Sequence, residues 1–429
     1  MRSVEEFCLG HNKRLIENIG SLAVLQGANY ILPLITLPYL VRVLGPEKFG
    51  LIVFAQAFIQ YFVVLTDYGF NLSATRQIAI CRDNSDEVSR IFSSVMVIKF
   101  GLIVLSFLLM SAIVRAVPRF HADRHLYFIC FLMVVGNTLF PTWLFQGMEK
   151  MKYITILNIS AKSAAVVAIF LFVHKPSDYL VAAGIQSGGF VLAGFLGLVF
   201  LQNIVRIRYA FPSWSSITMA ATEGWHIFVS TAAISLYTNS NAFILGLVTN
   251  NVTVGYFCAA DKISRAAQSL LSPVHQAIYP HISALSARSR EMALGFTRRA
   301  LGKIALFGLL ISIPLFIFAR PLVMLAFGSD YAASVTVLRW MAFLPFVTGV
   351  TNVFGMQVML PFGMSRFVSK IAVCGGLADL AYIVPLVNAF HATGAAMSLF
   401  ITEVLVLLMC VYTMEKQGFR LLGIRGTVA

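Results

Sequence analysis

Charged side chains interrupt several long apolar runs of this sequence, and they are the residues best suited to chemistry inside a membrane. A run of about 20 apolar residues is long enough to cross the hydrocarbon core of a bilayer. A Lys or Arg at the centre of such a run costs about 2.5–3.5 kcal/mol, so it usually faces a bundle interior or a water-filled cavity. Six basic residues lie in such runs: Lys99, Lys162, Lys262, Arg265, Arg320 and Arg339.

Each of these basic side chains either reaches the membrane surface or faces the interior of the helix bundle. A long side chain can reach the nearest membrane surface, and Arg320 lies close to a predicted helix end. Asp261 precedes Arg265 by four residues, so these two can form an ion pair on one helix face. Lys262 points about 100° away, at 3.6 residues per turn. We therefore expect Lys262 or Arg265 to face a hydrated cavity even if Arg265 is paired.

Acidic residues inside the apolar runs are candidates for ion coupling. A carboxylate at membrane depth is a typical proton or cation site, and the alternative is a counter-ion for a neighbouring Lys or Arg. The three candidates are Asp67, Asp379 and Glu403.

Uncharged polar residues in the first and seventh runs occupy comparable places. Buried amides need hydrogen-bond partners, so we expect Gln26, Asn29, Asn239 and Asn241 to line a polar cavity.

Prolines inside the first and eighth runs remove intrahelical hydrogen bonds. They indicate either static kinks or the hinges of a moving transporter. The four hinge candidates are Pro33, Pro38, Pro273 and Pro280.

The composition indicates that membrane-spanning helices position these residues. The 429 residues are 59% hydrophobic and 12% charged, where a soluble domain has about 45–50% and 25%. This excludes a cytosolic globular protein, a disordered chain and a secreted disulfide scaffold. The apolar runs are about twice as long as the strands of a membrane β-barrel. The sequence therefore predicts an all-α polytopic membrane protein.

About twelve such runs occur, six on each side of a basic, aromatic break. They include the first (19–41), second (49–68), fifth (153–173), sixth (179–203), seventh (225–249), eighth (253–280), eleventh (368–390) and twelfth (394–414) runs, and the turn residues Gly45-Pro46-Glu47-Lys48 join the first two. An even number of spans per half predicts a parallel repeat, and Phe49-Gly50 corresponds to Val254-Gly255 in a weak internal match. The predicted organisation is an N-terminal segment (1–18), a six-helix bundle (19–205), a linker (206–224), a second six-helix bundle (225–414) and a tail (415–429).

The net charge of +14 is mostly a topological signal. With the N-terminus inside, 20 of the 32 Lys and Arg fall in cytoplasmic segments and six in outer loops. This bias predicts that both termini are cytoplasmic. The basic residues are spread over alternate loops, so they do not indicate a nucleic-acid partner.

The sequence lacks the motifs of several enzyme classes. There is no Walker A motif and no HExxH, and the six cysteines are scattered singly. The predicted loops are too short for a nucleotide-binding domain or an outer catalytic loop. We therefore expect no enzyme activity, no metal and no cofactor.

Four stretches resemble the O-antigen and polysaccharide flippases of the multidrug/oligosaccharidyl-lipid/polysaccharide exporter superfamily. They are residues 26–50, 67–76, 143–147 and 272–280. The resemblance implies two six-helix bundles that form a V-shaped, alternating-access transporter around a cationic cavity. It implies translocation of undecaprenyl-pyrophosphate-linked oligosaccharide repeat units from the cytoplasmic to the periplasmic leaflet of the bacterial inner membrane. Membrane lipid, the polysaccharide polymerase and the chain-length machinery are the other implied partners.

A pyrophosphate-linked cargo suggests that the basic residues bind its negative charge. We hypothesise that cations in the cavity attract the pyrophosphate and that Arg42 lies at the outer mouth. The cavity set is Arg76, Lys99, Lys162, Lys262 and Arg265. A cation-coupled drug antiporter of the same superfamily is the alternative, and it predicts a cavity rich in acids. A membrane-embedded polyprenyl-linked glycosyltransferase or polymerase predicts the outer catalytic loop that this sequence lacks.

Overall fold

The structure is a computed structural model, and every regular element in the residues that it describes is helical. It describes residues 2–204, 209 and 211–419. Side chains are described throughout these ranges, except over most of 2–34 and at scattered positions of 203–287. The expectation of an all-α protein is confirmed.

Nine helices of the described residues lie between positions 2 and 248. They are α1 (Arg2–Asp67), α2 (Phe70–Cys81), α3 (Ser85–Ala116), α4 (Pro118–Ala122), α5 (Arg124–Leu139), α6 (Thr142–Gly147), α7 (Met151–Phe172), α8 (Tyr179–Ile204) and α9 (Trp214–Val248). A single 3₁₀ turn, Pro176–Asp178, precedes α8. The side chain of Asn84 caps α3 by accepting from the backbone N–H groups of Asp86 and Glu87.

Seven helices follow. They are α10 (Asn251–Ser269), α11 (Ser272–Arg288), α12 (Arg290–Ile317), α13 (Ala319–Phe327), α14 (Ser334–Met341), α15 (Leu344–Asn352) and α16 (Ser365–Lys416). A 3₁₀ turn (Ser329–Tyr331) precedes α14, and a π-helical segment (Val353–Met359) continues α15.

Eight helical stretches among the described residues are long and apolar enough to cross a membrane. They are Ile35–Cys81, Ser85–Ala116, Arg124–Gly147, Met151–Phe172, Pro176–Gln202, Arg290–Ile317, Ser334–Met359 and Ser365–Lys416. The first and last of these are twice the length that one crossing needs. The protein is therefore a polytopic membrane protein, and the total of twelve spans stays a prediction.

The main helix breaks do not coincide with the first predicted hinge prolines. Helix α1 continues through Pro33 and Pro38, and its backbone leaves helical geometry at Gly45 (φ 70°, ψ 171°). This break falls in the predicted join between the first two runs, and the hinge role of Pro33 and Pro38 stays a prediction. Helix α16 is interrupted at His391 (φ 51°), close to the predicted join between spans eleven and twelve.

The chain divides into two compact units. The first unit comprises Met1–Leu44 and Ala55–Ser235, and the second comprises Gly45–Phe54 and Leu236–Ala429. In the first unit, a buried cluster around Trp143 and Phe145 joins α2, α3, α6 and α7. In the second, a buried cluster around Val353 and Phe354 joins α12, the π-helical segment and α16. These two cores fix the helices that carry the charged residues.

Candidate functional site

Helix α10 is too polar to face lipid on all sides, because Asp261, Lys262 and Arg265 lie in its second half. In its first half, Val254 and Phe257 are buried, and the helix packs on α14, α15 and α16. Further along the helix, Lys262 and Arg265 are exposed. Exposed cations on a helix of the bundle require water or a ligand around them, because lipid cannot solvate them.

The predicted ion pair on α10 is confirmed. Arg265 Nε lies 2.7 Å from Asp261 Oδ2, and it donates a hydrogen bond to that oxygen. The Arg265 side chain is still 54% exposed, so the ion pair leaves about half of the side chain open. Lys262 is also exposed, and no described carboxylate lies within ion-pair distance of it. Two basic groups on this helix can therefore contact an anion.

The second unit also holds a buried carboxylate, Asp379, in α16. It is 1% exposed, and its Oδ1 accepts hydrogen bonds from Ser398 Oγ (2.5 Å) and Thr402 Oγ1 (2.9 Å). The hydroxyls of Tyr382 and Thr402 also contact each other. The first half of α16 is thus joined to its second half, across the break at His391, by a carboxylate and three hydroxyls.

Glu403 connects Asp379 with the ion pair on α10. Its charge interacts with those of both Arg265 and Asp379. Among the described residues, the carboxylates Asp261, Glu403 and Asp379 therefore share one coupled counter-charge, Arg265. If all four groups ionise, negative charge is in excess, and an excess charge in a low-dielectric interior is unfavourable. Uptake of a proton or a small cation would reduce that excess.

The first unit brings two predicted site residues together. Lys99 Nζ, on α3, lies 3.6 Å from Asp67 Oδ1 at the end of α1, and Lys99 is 3% exposed. Asn71 Nδ2 donates to Asp67 Oδ2 at 2.8 Å. Tyr68 and Gly69, both with positive φ, turn the chain just after Asp67, and the Tyr68 ring stacks on Phe228 of α9. In this structure Lys99 is therefore paired and closed to solvent.

The other predicted site residues lie apart from these clusters. Arg42 and Arg76 are exposed on α1 and α2, Lys162 is half-buried on α7, and Asn241 is buried on α9. Asn241 Oδ1 has no hydrogen-bond partner among the described residues. The side chains of Gln26, Asn29, Pro33, Asn239 and Pro280 lie outside the described residues.

Of the later hinge candidates, Pro273 coincides with a real break. Helix α10 ends at Ser269 and α11 begins at Ser272, with Pro273 in its first turn. This position suits proline, whose missing N–H would have no helical partner there. The eighth predicted span is therefore a broken helix.

The structure shows a polar contact near this break that no sequence pattern predicts. Gln357, in the π-helical segment, is 1% exposed, and its Nε2 lies 2.8 Å from His275 Nδ1 and 3.1 Å from His275 O. These two residues are 82 positions apart, so no local spacing could reveal their contact. The signal that was available is Gln357 itself, a lone amide in an apolar run.

Comparison with known proteins identifies the family of the chain. The family model described as "Polysaccharide biosynthesis protein" matches residues 15–286. A protein of Escherichia coli (strain K12), named O-antigen transporter, is 39% identical over 392 residues, which are 91% of this chain and 94% of that protein.

Two solved structures share the fold. The lipid II flippase MurJ, in an inward closed conformation, gives a TM-score of 0.73 at 12% identity, covering 94% of this chain and 89% of that one. An inward-facing multidrug resistance MATE family transporter gives 0.71 at 13% identity, covering 91% and 96%. The solved structures share the fold, and the family-model match with the 39% identity shows that the chain belongs to the polysaccharide biosynthesis protein family.

Proposed function

We propose that this protein flips undecaprenyl-pyrophosphate-linked oligosaccharide repeat units from the cytoplasmic to the periplasmic leaflet of the bacterial inner membrane. The observation that carries the proposal is the exposed pair of cations, Lys262 and Arg265, on a helix that belongs to the transmembrane bundle. A pyrophosphate cannot cross hydrocarbon without counter-charges. The two cations supply them, while the prenyl chain stays in lipid.

The first-unit cations have a secondary role in this proposal. Arg76 and Lys162 supply a more distant positive field, and Arg42 lies at the outer mouth. Lys99 contributes to the field only in a state in which Asp67 no longer neutralises it, because the two are paired in this structure. Both termini are placed in the cytoplasm by the distribution of Lys and Arg.

Transport is coupled to a proton or a small cation through the second unit. Asp379 and Glu403 are the coupling residues in this proposal, because their cluster carries an excess negative charge when fully ionised. Asp67 is the weaker candidate, since Lys99 already serves as its counter-ion. No covalent chemistry is required, so the protein acts as a transporter and not as an enzyme.

The cargo distinguishes this function from drug export by a protein of the same fold. A site for organic cations would present acids to the ligand, whereas the most exposed charges on α10 are basic. In a strain that lacks its own O-antigen flippase, expression of this chain should restore surface polysaccharide and should not raise resistance to cationic drugs. Drug resistance without polysaccharide would overturn the proposal.

A further inference from the structure

The stretch that follows Arg265 is polar but carries no formal charge. Between Arg265 and Arg288 the sequence contains no Asp, Glu, Lys or Arg. Helices α10 and α11 together run from Asn251 to Arg288, so their centre lies at about residue 270, within this stretch. Hydrogen-bonding side chains at membrane depth need a partner. No charged residue of the stretch itself can supply that partner.

Four uncharged polar side chains of this stretch follow each other across the break between α10 and α11. Gln268 lies at the end of α10, and Ser272, Gln276 and Tyr279 recur in α11 at intervals of four and three residues, which is the spacing of one helix face. We call these four the polar stripe. Gln276 and Tyr279 are exposed, and Gln268 and Ser272 are half-buried. The C-terminal half of the stripe is therefore open to a ligand.

Hydrogen bonds within the protein hold the side chains of the stripe in place, and they leave some of the stripe's hydrogen-bond donors and acceptors available. Gln276 Nε2 donates to Ser272 Oγ at 3.0 Å, and Gln268 Nε2 donates to Ser264 Oγ at 3.2 Å. The Gln268 Oε1 accepts from Thr348 at 3.4 Å. An amide has two donor hydrogens and two acceptor sites. Gln276 thus keeps its oxygen and one N–H available to a ligand among the described contacts.

The ring of His275, next to the polar stripe, is held in place by a hydrogen bond with a buried side chain. Buried Gln357 donates to His275 Nδ1, and this assigns the ring proton to Nε2. The backbone carbonyl of His275 accepts from the same amide at 3.1 Å. His275 is half-buried, so it adds a neutral N–H donor beside Ser272 and Gln276.

These groups match a neutral, polyhydroxylated ligand. Amides, hydroxyls and a neutral imidazole offer both donors and acceptors, and the exposed ring of Tyr279 offers an apolar face. A bound anion would instead require cations, and these lie further along the helices at Lys262 and Arg265. Gln276 follows Arg265 by eleven residues, or ~16 Å at 1.5 Å per residue. One cargo can therefore meet the cations with its charged end and the stripe with its uncharged end.

We propose that the polar stripe binds neutral sugar rings of the cargo while Lys262 and Arg265 bind its pyrophosphate. This inference rests on the proposed function and adds a sugar-binding surface to it. It makes Gln276 a specificity-determining residue, because its free amide groups contact the glycan and not the pyrophosphate.

The test compares two synthetic lipids that share one prenyl pyrophosphate. One carries a single neutral sugar and the other carries four. The purified full-length protein should bind the four-sugar lipid more tightly. Gln276→Leu should weaken that binding about fivefold to tenfold, the effect of one lost hydrogen bond, and should change binding of the one-sugar lipid by less than twofold. Gln276→Asn, which keeps the amide, should restore part of the difference.

Matched variants separate a local effect from misfolding. Gln202→Leu makes the same change at an exposed position of α8, and it should leave both affinities unchanged. The melting temperature of each variant reports on folding. The inference is overturned if Gln276→Leu weakens both lipids equally, if it weakens neither, or if an acidic tetrasaccharide binds more tightly than the neutral one.

The same experiment distinguishes this inference from the proposed function. If the wild-type protein binds neither lipid and does not restore surface polysaccharide, the proposed function fails and the inference fails with it. If the wild type restores polysaccharide and binds both lipids with equal affinity, the function stands and only the sugar-binding surface is lost.

Discussion

Gly50 and Gly255 meet backbone to backbone in the second unit. A Cβ atom on Gly50 would lie 1.8 Å from the carbonyl oxygen of Asn251, and one on Gly255 would lie 2.2 Å from the carbonyl oxygen of Pro46. These are the two glycines that the weak internal match aligns, and the same offset aligns Pro46 with Asn251. Each glycine therefore touches the partner of the other, as in a two-fold self-complementary contact.

A methyl group at either glycine should disrupt this contact. In Gly50→Ala or Gly255→Ala, a backbone oxygen blocks the new Cβ atom, so the helices must shift. We expect a loss of about 1–3 kcal/mol, typical of overpacking, seen as a lower melting temperature in detergent. Gly302→Ala is the control, because nothing lies within 4 Å of its Cβ position. Equal stability of all three variants would contradict the close packing.

The buried pair of Asp67 and Lys99 predicts a non-additive effect. Asp67→Asn leaves the ammonium of Lys99 without its counter-ion at 3% exposure, which should cost about 3–5 kcal/mol. The double variant Asp67→Asn/Lys99→Met removes both charges, so it should recover most of the lost stability. Thermal unfolding of the wild type, Asp67→Asn, Lys99→Met and the double variant gives the coupling free energy between the two side chains. If the double variant were less stable than Asp67→Asn, the two charges would not form a structural pair.

Asp379 should control coupling without controlling folding. Asparagine keeps an acceptor for Ser398 and Thr402 but cannot take up a proton or carry a negative charge. We expect Asp379→Asn to lower gradient-driven transport at least tenfold while the protein remains folded. The measurement is transport into proteoliposomes under an imposed proton or sodium gradient. Asp330→Asn, at an exposed position, is the control, and an unchanged gradient response in Asp379→Asn would remove this residue from the mechanism.

Arg290 should hold the end of α16 in place. Its Nη2 donates to the carbonyl oxygens of Gly418 (2.7 Å) and Gln417 (3.3 Å), and its guanidinium lies 3.9 Å from the centre of the Phe419 ring. Arg290→Ala should cost about 1–2 kcal/mol locally. Hydrogen exchange near residues 410–419 should become faster. The exposed Arg288 provides the control, and equal exchange in Arg288→Ala and Arg290→Ala would show that the contact has no role.

Local patterns predicted the features that depend on neighbours in sequence. The apolar runs identified helices such as α7 and α8 to within about two residues. The four-residue spacing of Asp261 and Arg265 predicted their ion pair, which the structure confirms at 2.7 Å. Helix periodicity and span length act over one element, so a single sequence is sufficient for them.

Contacts between different helices could not be predicted from local sequence patterns. Asp67 and Lys99 lie on different helices, and the sequence left open whether each faces a cavity or a counter-ion. The contact of His275 with Gln357 depends on how α11 packs on the π-helical segment. The hydroxyls around Asp379 depend on how the two halves of α16 pack across the break at His391. By contrast, the break of α1 at Gly45 lies in the predicted join between the first two runs, so local turn residues were a sufficient signal there.

The central claim is that Lys262 and Arg265 bind the pyrophosphate of a lipid-linked oligosaccharide during its translocation. The most direct measurement is side-specific translocation of that lipid in proteoliposomes by the wild type and by Lys262→Gln and Arg265→Gln. We predict transport by the wild type and at least a tenfold lower rate in each variant at equal amounts of folded protein. Full transport by both variants would contradict the claim.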